Sequence, residues 1–271
     1  MKAKTLIMDM LRSLRLLQAL DRARFLLMKI RNRKRNREFV RNHPDVALPP
    51  DYLMYESFKL DYGRYYLNGR KSAAWLADLA GKHTDLSRAR ILDWGCGPAR
   101  VVRHLPDLLP GSECYGTDYN RKTITWCSGA FDNITFHAND LMPGLVFNDD
   151  HFDLVYGISI FTHLSEEAHH AWLAELLRVL KPAGVLFLTL HGASFREKLS
   201  GRERADFDAG KLVVRGRVRE GHRTYTSFHP ESWVRNWFPP ASVAEHLAGG
   251  EGDQDVWIIK KPAEQYLRQQ G

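Results

Sequence analysis

Ile91-Leu-Asp-Trp-Gly-Cys-Gly-Pro-Ala-Arg100 is the stretch that decides the fold of this chain of 271 residues. An apolar run passes into Gly95-x-Gly97, and a helical pattern starts directly afterwards. Glycine suits this position because it allows a tight turn and the close approach of a ligand without a Cβ atom in the way. The start of a helix also offers N–H groups that have no partner inside the helix. The stretch therefore predicts a ligand-binding bend, and a purely structural turn is the alternative.

Two further strand ends carry acidic residues. Cys114-Tyr-Gly-Thr-Asp118 ends the second predicted strand, and Phe136-His-Ala-Asn-Asp140-Leu141 ends the third. A carboxylate at the tip of the second strand is the usual partner of a ribose diol. The acid and amide of the third tip could pair with the exocyclic amine and ring nitrogen of adenine. The alternatives are an N-cap for the helix near Arg121 and an ordinary Asn-Asp turn.

Strands and helices alternate from residue 90 onward, a pattern typical of βαβ units and a parallel sheet. The predicted strands are Arg90–Trp94, Glu113–Thr117, Ile134–His137, Phe152–Ile158 and Val185–Leu190, with helices near Arg100–Leu109, Arg121–Ala130 and Ser165–Leu180. After Leu190 a polar segment contains a possible hairpin through Leu212–Val218 and Arg223–Ser227. A short helix at Pro230–Trp237 and strands at Ser242–His246 and Asp255–Lys260 follow.

These motifs resemble the class I S-adenosylmethionine-dependent methyltransferases over about residues 70–190. The resemblance also rests on Phe152-Asp-Leu-Val-Tyr-Gly-Ile-Ser159 and on Leu176-Leu-Arg-Val-Leu-Lys-Pro-Ala-Gly-Val-Leu-Phe-Leu188. Gln254-Asp-Val-Trp-Ile-Ile259 is similar to the last strand of the family. The resemblance implies an α/β, Rossmann-like fold with a seven-stranded, mainly parallel sheet, helices on both faces and an antiparallel last strand. Ala183 departs from the glycine that the family commonly has, which puts little in doubt.

The resemblance also implies residue roles around S-adenosyl-L-methionine as the cofactor. Asp93, Gly95 and Gly97 would line its methionine part, Asp118 the ribose, Asp140 and Leu141 the adenine, and Tyr156 and Gly157 the sulfonium and the substrate. The predicted cofactor-binding set also includes Cys96, Tyr119 and Asn139. Dinucleotide reductases are the nearest rival, but their third glycine would fall at position 100, where this chain has Arg100.

Histidines are the candidates for a catalytic base, because imidazole titrates near neutral pH. His163 follows the fourth predicted strand and His191 follows the fifth, and both rank ahead of His229. The alternative for His163 is a role in positioning the helix that begins near Ser165, and His169 and His170 are expected to be solvated. Tyr156-Gly-Ile-Ser-Ile-Phe161 lacks the Asn/Asp-Pro-Pro-aromatic motif of enzymes that methylate amino groups of bases or glutamine. An acidic cluster for a divalent metal is also missing, so no metal is expected.

The positive charge is concentrated in one segment at the start of the chain. The whole chain has a net charge of +7, and residues 1–42 alone carry +10, which leaves −3 for the rest. Residues 5–30 predict an amphipathic helix with a stripe at Ile7, Met10, Leu11, Leu14 and Leu17, followed by the basic run 31–37. This arm could lie on an anionic membrane surface, pack on a second subunit, or bind nucleic acid, which ranks last. The predicted domains are an arm at 1–45 and a methyltransferase domain at 46–271, with a substrate-side insertion at 192–229.

The sequence as a whole predicts an enzyme that methylates a hydroxyl or carboxyl oxygen of a sugar, glycan or other small metabolite. The alternatives are an RNA or protein methyltransferase that docks through the basic arm, and a non-catalytic subunit that binds the cofactor. Three cysteines without metal spacing, and no apolar run of the roughly 18–20 residues that cross a bilayer, favour a cytoplasmic protein. Contact with the inner membrane surface is an expectation for the arm.

Overall fold

The computed structural model describes residues 17–262, except for residues 217, 219, 222 and 223. Its contacts divide the chain into two compact units, Met1–Gly69 and Arg70–Gly271. The helices are α1 Leu17–Asn42, α2 Asp51–Phe58, α3 Tyr62–Ala80, α4 Leu105–Leu108, α5 Arg121–Ala130, α6 Glu166–Val179, α7 Gly201–Asp208 and α8 Glu231–Trp237. The strands are β1 Arg90–Trp94, β2 Glu113–Asp118, β3 Ile134–Ala138, β4 Phe152–Ile158, β5 Leu180–Leu190, β6 Val213–Arg215, β7 Thr226–Phe228, β8 Val243–Leu247 and β9 Asp255–Lys260. The predicted limits of 1–45 and 46–271 for the domains stay a prediction.

The second unit contains a seven-stranded sheet in the order β3-β2-β1-β4-β5-β9-β8. The pairs β1–β2, β1–β4, β2–β3 and β4–β5 are parallel, whereas β9 runs antiparallel to both β5 and β8. The carboxyl ends of the parallel strands therefore meet along one edge, where open α/β sheets bind their ligands. This arrangement confirms the predicted Rossmann-like fold with its antiparallel last strand. Strands β6 and β7 form the predicted hairpin as a separate antiparallel pair.

The sheet is buried on both faces because its central strands carry apolar residues that point to either side. Ile91 belongs to the core on one face, and its neighbour Leu92 belongs to the core on the other face. Residues of α3 and α5 pack into the first core, and residues of α6 and α8 pack into the second. Side chains alternate between the faces of a strand, so a run with apolar residues at odd and even positions requires helices on both sides.

Helix α1 differs from its prediction because it continues through the basic run to Asn42, so the predicted end at residue 30 is wrong. Arginine and lysine are good helix formers, and no glycine or proline interrupts the segment before Pro44. The buried amides of Asn32 and Asn36 donate hydrogen bonds to the carbonyl of Leu60, at 3.0 Å each. The proposed apolar stripe at Ile7–Leu14 lies outside the described residues. Within the described part of the chain, no helix has the length and apolar character that crossing a membrane requires.

Helix formation after the glycine bend is weaker than predicted. The predicted helix Arg100–Leu109 is instead a turn, a 3-10 helix at Val102–His104 and the single α-turn of α4. Ala99 has a left-handed φ of 58°, and Pro106 has no N–H group to donate, so a continuous helix is not available here. The other predicted helices and strands of the second unit lie within a few residues of their predicted limits.

Candidate functional site

The glycine bend is held against the end of β2 by three hydrogen bonds that its backbone N–H groups donate. The N–H groups of Gly95 and Cys96 donate to the carbonyl of Thr117 at 2.8 and 2.9 Å, and the N–H of Gly97 donates to Oδ2 of Asp118 at 2.9 Å. Gly95 and Gly97 both have left-handed φ angles, of 76° and 51°. A Cβ atom at Gly95 would lie 2.3 Å from Cδ1 of Ile160, whereas a Cβ at Gly97 would enter open space. The first glycine is thus required for packing inside the protein, and the second leaves a cradle that a ligand can enter.

Asp118 has a nearly buried carboxylate that is already oriented by backbone donors. Its Oδ1 accepts a hydrogen bond from the N–H of Asn120 at 2.7 Å, and its Oδ2 accepts the one from Gly97. Burial raises the pKa of Asp118, while both backbone N–H groups act in the opposite direction. The N-cap of α5 is Asn120, whose side chain accepts from the N–H groups of Lys122 and Thr123. Asp118 is therefore not that helix's cap, and its remaining lone pairs are available to a ligand.

A pocket with about 460 Å³ of empty volume opens at this edge of the sheet. The lining brings together seven residues of the predicted site: Gly95, Asp118, Tyr119, Asn139, Asp140, Leu141 and His163. It also contains five residues that the sequence analysis missed: Trp94, Ile160, Leu164, Trp172 and Gly221. Trp94 could have been found, because it directly precedes the bend.

The third strand end presents one buried oxygen that lacks a partner. The side-chain amide of Asn139 donates to the carbonyl of Asp140 at 2.6 Å, but Oδ1 of Asn139 is buried without a hydrogen bond. An unpaired buried acceptor costs about 1–3 kcal/mol, so this atom suits a ligand that brings a donor, such as the exocyclic amine of adenine. The Asp140 side chain, by contrast, is 85% exposed and lies 3.3 Å from Arg121.

Five predicted cofactor contacts are not in the lining of the pocket: Gly97 of the bend, and Asp93, Cys96, Tyr156 and Gly157. Asp93 is buried, and burial raises its pKa to about 7, although Tyr156 and Arg100 favour the charged form. The Tyr156 side chain is completely buried, and a Cβ at Gly157 would lie 2.8 Å from the Trp94 ring. Burial raises the pKa of the Cys96 thiol well above its ordinary value, so this cysteine is not a thiolate nucleophile. These residues support the bend from below, and their predicted contacts with the cofactor stay a prediction.

A ring of polar side chains fixes the loop after β4, which carries Ile160 and His163. Gln254 donates to Oγ of Ser159 at 2.8 Å, and the Thr189 hydroxyl donates to Oε1 of Gln254 at 2.5 Å. The N–H of Ser159 in turn donates to the Thr189 hydroxyl at 2.8 Å. These bonds join the ends of β4 and β5 to the residue before β9, and they stabilise the left-handed φ of 63° at Ser159. The loop is therefore preorganised.

The rings of the two leading base candidates, His163 and His191, are each oriented by a backbone carbonyl. Nδ1 of His163 lies 2.8 Å from the carbonyl of Tyr225, and Nδ1 of His191 lies 3.1 Å from the carbonyl of Ser227. A carbonyl can only accept, so each Nδ1 carries a proton. His163 lines the pocket, whereas His191 stacks on Phe195 with 4.1 Å between the ring centroids. Burial is the main cause that lowers the pKa of His191 to about 4, and the nearby His163 acts in the same direction.

His229 and His169 form a buried pair outside the pocket lining. Nδ1 of His169 is 2.6 Å from the carbonyl of Ser165, and its Nε2 is 2.8 Å from Nε2 of His229. The prediction that His169 is solvated is therefore wrong, because the ring is completely buried between α6 and the segment after β7. Burial lowers the pKa of His169 to about 4 and the pKa of His229 well below its ordinary value. Both rings are neutral, and this pairing favours a structural role for His229.

One wall of the pocket comes from the predicted substrate-side insertion. The N–H of Gly221 donates to the carbonyl of His163 at 2.9 Å, and the hydroxyl of Tyr119 donates to the carbonyl of Gly221 at 3.1 Å. A Cβ at Gly221, which has a φ of 77°, would lie 2.9 Å from Cδ1 of Leu141. The insertion thus reaches the lining through its backbone at a glycine. Fold and pocket together define an α/β protein with a small-molecule site at the carboxyl edge of its sheet.

Comparisons with known proteins identify the family. Residues 91–184 match the family model of a methyltransferase domain. A phthiotriol/phenolphthiotriol dimycocerosates methyltransferase of Mycobacterium ulcerans is 30% identical over 201 residues, which are 66% of this chain and 70% of that protein. An uncharacterized methyltransferase of Schizosaccharomyces pombe is 32% identical over 106 residues, which are 35% of this chain and 37% of that protein. The chain therefore belongs to the class I S-adenosylmethionine-dependent methyltransferases.

Solved structures show the same fold at lower identity. DesVI of Streptomyces venezuelae superimposes with a TM-score of 0.55 at 18% identity, covering 80% of this chain and 100% of that one. A methyltransferase of Methanosarcina mazei gives a TM-score of 0.53 at 20% identity, covering 69% of this chain and 98% of that one. As a member of this family, the present chain uses S-adenosylmethionine as its cofactor. The open cradle at Gly97 and the unpaired oxygen of Asn139 suit such a ligand, and the role of each residue stays a prediction.

Proposed function

We propose that this methyltransferase transfers the methyl group to an oxygen of a sugar, a glycan or another small metabolite, with His163 as the base. The single observation that carries the proposal is the state of the His163 ring. The ring lines the pocket, and the Tyr225 carbonyl orients it by holding a proton on Nδ1. An imidazole oriented in this way is suited to removing a hydroxyl proton near neutral pH.

The remaining chemistry requires few groups of the protein. S-adenosylmethionine supplies a methyl carbon already activated by positive sulfur. The chain then has to align the acceptor oxygen and take up its proton. Ile160 and Leu164 lie beside His163 in a lining that is largely apolar, which excludes water from the hydroxyl. His191 is the second candidate base, and its low pKa makes it a weaker proton acceptor than an ordinary histidine.

The relatives support small acceptors only in general terms. The SAM-bound protein CalS10 of Micromonospora echinaspora, an amino pentose methyltransferase, superimposes with a TM-score of 0.50 at 17% identity, over 71% of this chain and 91% of that one. The fold therefore accommodates a sugar acceptor, and the Mycobacterium ulcerans relative is named for a dimycocerosate substrate. A cytoplasmic location belongs to the proposal, because such an acceptor and the cofactor would meet there.

Product identification tests this function. The full chain is incubated with S-adenosylmethionine labelled in its methyl group and with fractionated extract, and the labelled product is identified by mass spectrometry. We expect a small hydroxyl-bearing compound that has gained one methyl group on oxygen. Label in RNA or protein would replace the proposal with the alternative of macromolecular methylation. Tight binding of S-adenosylhomocysteine without any methyl transfer would favour the non-catalytic subunit.

A second measurement tests His163 itself. His163→Ala is compared with His170→Ala, because His170 is exposed and lies outside the pocket lining. We expect the first variant to lose turnover by about 100- to 10,000-fold, the range for a general base, and the second to keep it. Affinity for S-adenosylhomocysteine should be retained in both. Equal turnover in both variants would remove the base assignment and leave the cofactor site standing.

A further inference from the structure

Helix α1 has an inner face that is fully used within the first unit. Phe25 and Met28 pack against a buried cluster from α2, the following turn and the start of α3, which contains Met54, Tyr55, Leu60 and Tyr65. Asn32 is 8% exposed and donates to the carbonyls of Lys59 and Leu60 at 3.0 Å each. These residues recur at helical spacing, so they fix which side of α1 faces the unit. The opposite side is left to solvent.

The outer face begins with large apolar side chains. Leu26 is 56% exposed, Leu27 is 64% exposed and Ile30 is 72% exposed. They lie within little more than one turn of the helix, so together they form one patch. Single exposed apolar side chains need no explanation, but three neighbouring ones on a helix with nine Lys and Arg residues are unusual.

The outer face continues with cations. Lys34, Arg37 and Arg41 follow Ile30 at spacings of three and four residues and form a ridge about 16 Å long from Ile30 to Arg41. All three are exposed and make no ion pair within the described part of the chain. Lys29 and Arg35, in contrast, are paired with Asp51 and Asp61 at 2.8 and 2.7 Å. The ridge therefore keeps its positive charge available.

A wide groove runs beside this ridge within the first unit. It has about 1730 Å³ of empty volume, and its lining includes Arg33 together with the three cations of the ridge. Asp51 is the acidic residue in the lining, and Lys29 already neutralises it. The groove is thus strongly positive beside an apolar patch, and its occupant must offer negative charge and apolar surface together.

We propose that the outer face of α1 binds an anionic lipid surface. Leu26, Leu27 and Ile30 enter the boundary between headgroups and acyl chains, and Lys34 and Arg37 pair with lipid phosphates. A helix surface that combines exposed apolar residues with clustered basic ones binds membranes in this way, parallel to the surface. The enzyme is thereby held at a membrane without spanning it.

Charge and exposure favour this occupant over the two alternatives. A nucleic acid would satisfy the cations, but the apolar patch would stay in water against a phosphate backbone. A second copy of the chain could cover the patch, but in a symmetric dimer the same face would meet itself. Helix α1 carries nine basic residues against Asp21 and Glu38, so two such faces would repel each other. An anionic bilayer satisfies both halves of the face.

Vesicle flotation with the full chain tests the proposal. The vesicles contain phosphatidylcholine alone or equal parts of phosphatidylcholine and phosphatidylglycerol. We expect flotation with the anionic vesicles alone, and we expect added salt to weaken it because salt screens the phosphates. Flotation with neither kind of vesicle, or with both equally, would overturn the proposal.

Two double variants separate the contributions of the apolar patch and the ridge. Leu27→Glu with Ile30→Glu removes the patch, and Lys34→Glu with Arg37→Glu reverses the charge of the ridge. Each should reduce partitioning into anionic vesicles at least tenfold. The matched controls are Val146→Glu, at a side chain that is 67% exposed, and Arg88→Glu with Lys260→Glu, which are exposed elsewhere. The controls should float like the original chain, and all variants should bind S-adenosylhomocysteine normally.

The same variants identify the alternatives. RNA binding that needs Lys34 and Arg37 but not Leu27 and Ile30, without flotation, would assign the face to nucleic acid. A dimer in sedimentation analysis that dissociates in the Leu27→Glu and Ile30→Glu variant, without flotation, would assign it to a second copy. Either result would overturn the lipid proposal and would leave the proposed methyl transfer untouched.

Discussion

The two glycines of the bend should respond differently to the same small change, the addition of one methyl group. In Gly97→Ala the new Cβ meets nothing within 4 Å in the protein, so its cost for folding is the left-handed φ of 51°. That strain is about 1–2 kcal/mol, and the stiffer unfolded chain returns about 0.4–1 kcal/mol, which leaves a loss of about 1 kcal/mol. In Gly95→Ala the same strain is joined by a contact of 2.3 Å with Cδ1 of Ile160. Overpacking adds about 1–3 kcal/mol there.

Cofactor affinity should respond in the opposite order to stability. Gly97→Ala is the milder change for folding and should be the more harmful one for cofactor binding. The Cβ of Gly97→Ala enters the open cradle, and crowding a ligand by a comparable 1–3 kcal/mol corresponds to a roughly ten- to hundredfold weaker complex. Urea unfolding gives the stability, and titration with S-adenosylhomocysteine gives the affinity. Gly129→Ala, on the exposed side of α5, is the control and should bind normally. Normal affinity of Gly97→Ala would refute the cradle, and a Gly95→Ala defect that Ile160→Ala does not relieve would refute the packing argument.

Three further predictions concern the carboxylate, the bases and the buried histidines. Asp118→Ala should weaken S-adenosylhomocysteine binding by about 1–3 kcal/mol in calorimetry, because the ligand and two backbone N–H groups lose their acceptor; unchanged affinity would remove the ribose assignment. In the pH profile of turnover, His191→Ala should keep the alkaline plateau of the original chain, whereas His163→Ala should lower it at all pH values, and the opposite pattern would exchange their roles. The pKa of His169 is lowered to about 4 from 6.5. Between these pH values the unfolded chain binds more protons than the folded chain. The contribution of this group to stability is therefore complete above pH 6.5 and falls as the pH decreases. Urea unfolding at pH 7 and pH 5 should show a loss of about 2 kcal/mol from this group, which His169→Gln abolishes; an unchanged pH dependence in that variant would contradict the neutral pair.

The sheet and the bend could be predicted because each depends on residues close together in the chain. Apolar runs such as Phe152–Ile158 specify buried strands by themselves, and the limits of β4 and β9 agree with the prediction. Gly95, Asp118 and Asn139 were assigned to one site because parallel strands end at one edge. The predicted helix was shorter than α1, because the amides of Asn32 and Asn36 bond to a turn 28 and 24 residues later, which no local pattern reveals.

The burial of the histidines could not be predicted for the same reason. His169 lies on an ordinary amphipathic helix, and its partner His229 comes 60 residues later in the chain. The tautomer of His163 likewise depends on a backbone carbonyl 62 residues away. Trp172 enters the pocket from α6, and its indole N–H donates to the carbonyl of Leu141 at 2.8 Å. Contacts between distant segments thus decide which residues complete the site.

One short segment of the insertion contacts both candidate bases and lines the pocket. Tyr225 and Ser227 stand two residues apart in the extended backbone at β7, so their carbonyls point to the same side. One carbonyl fixes the proton of His163 and the other fixes that of His191. Gly221, four residues earlier than Tyr225, closes the pocket against Leu141. The segment that shapes the pocket for the acceptor therefore also sets the protonation of both candidate bases. Exchanging this insertion for one that fits another acceptor should alter turnover as well as specificity, because the new backbone must still place a carbonyl opposite each Nδ1.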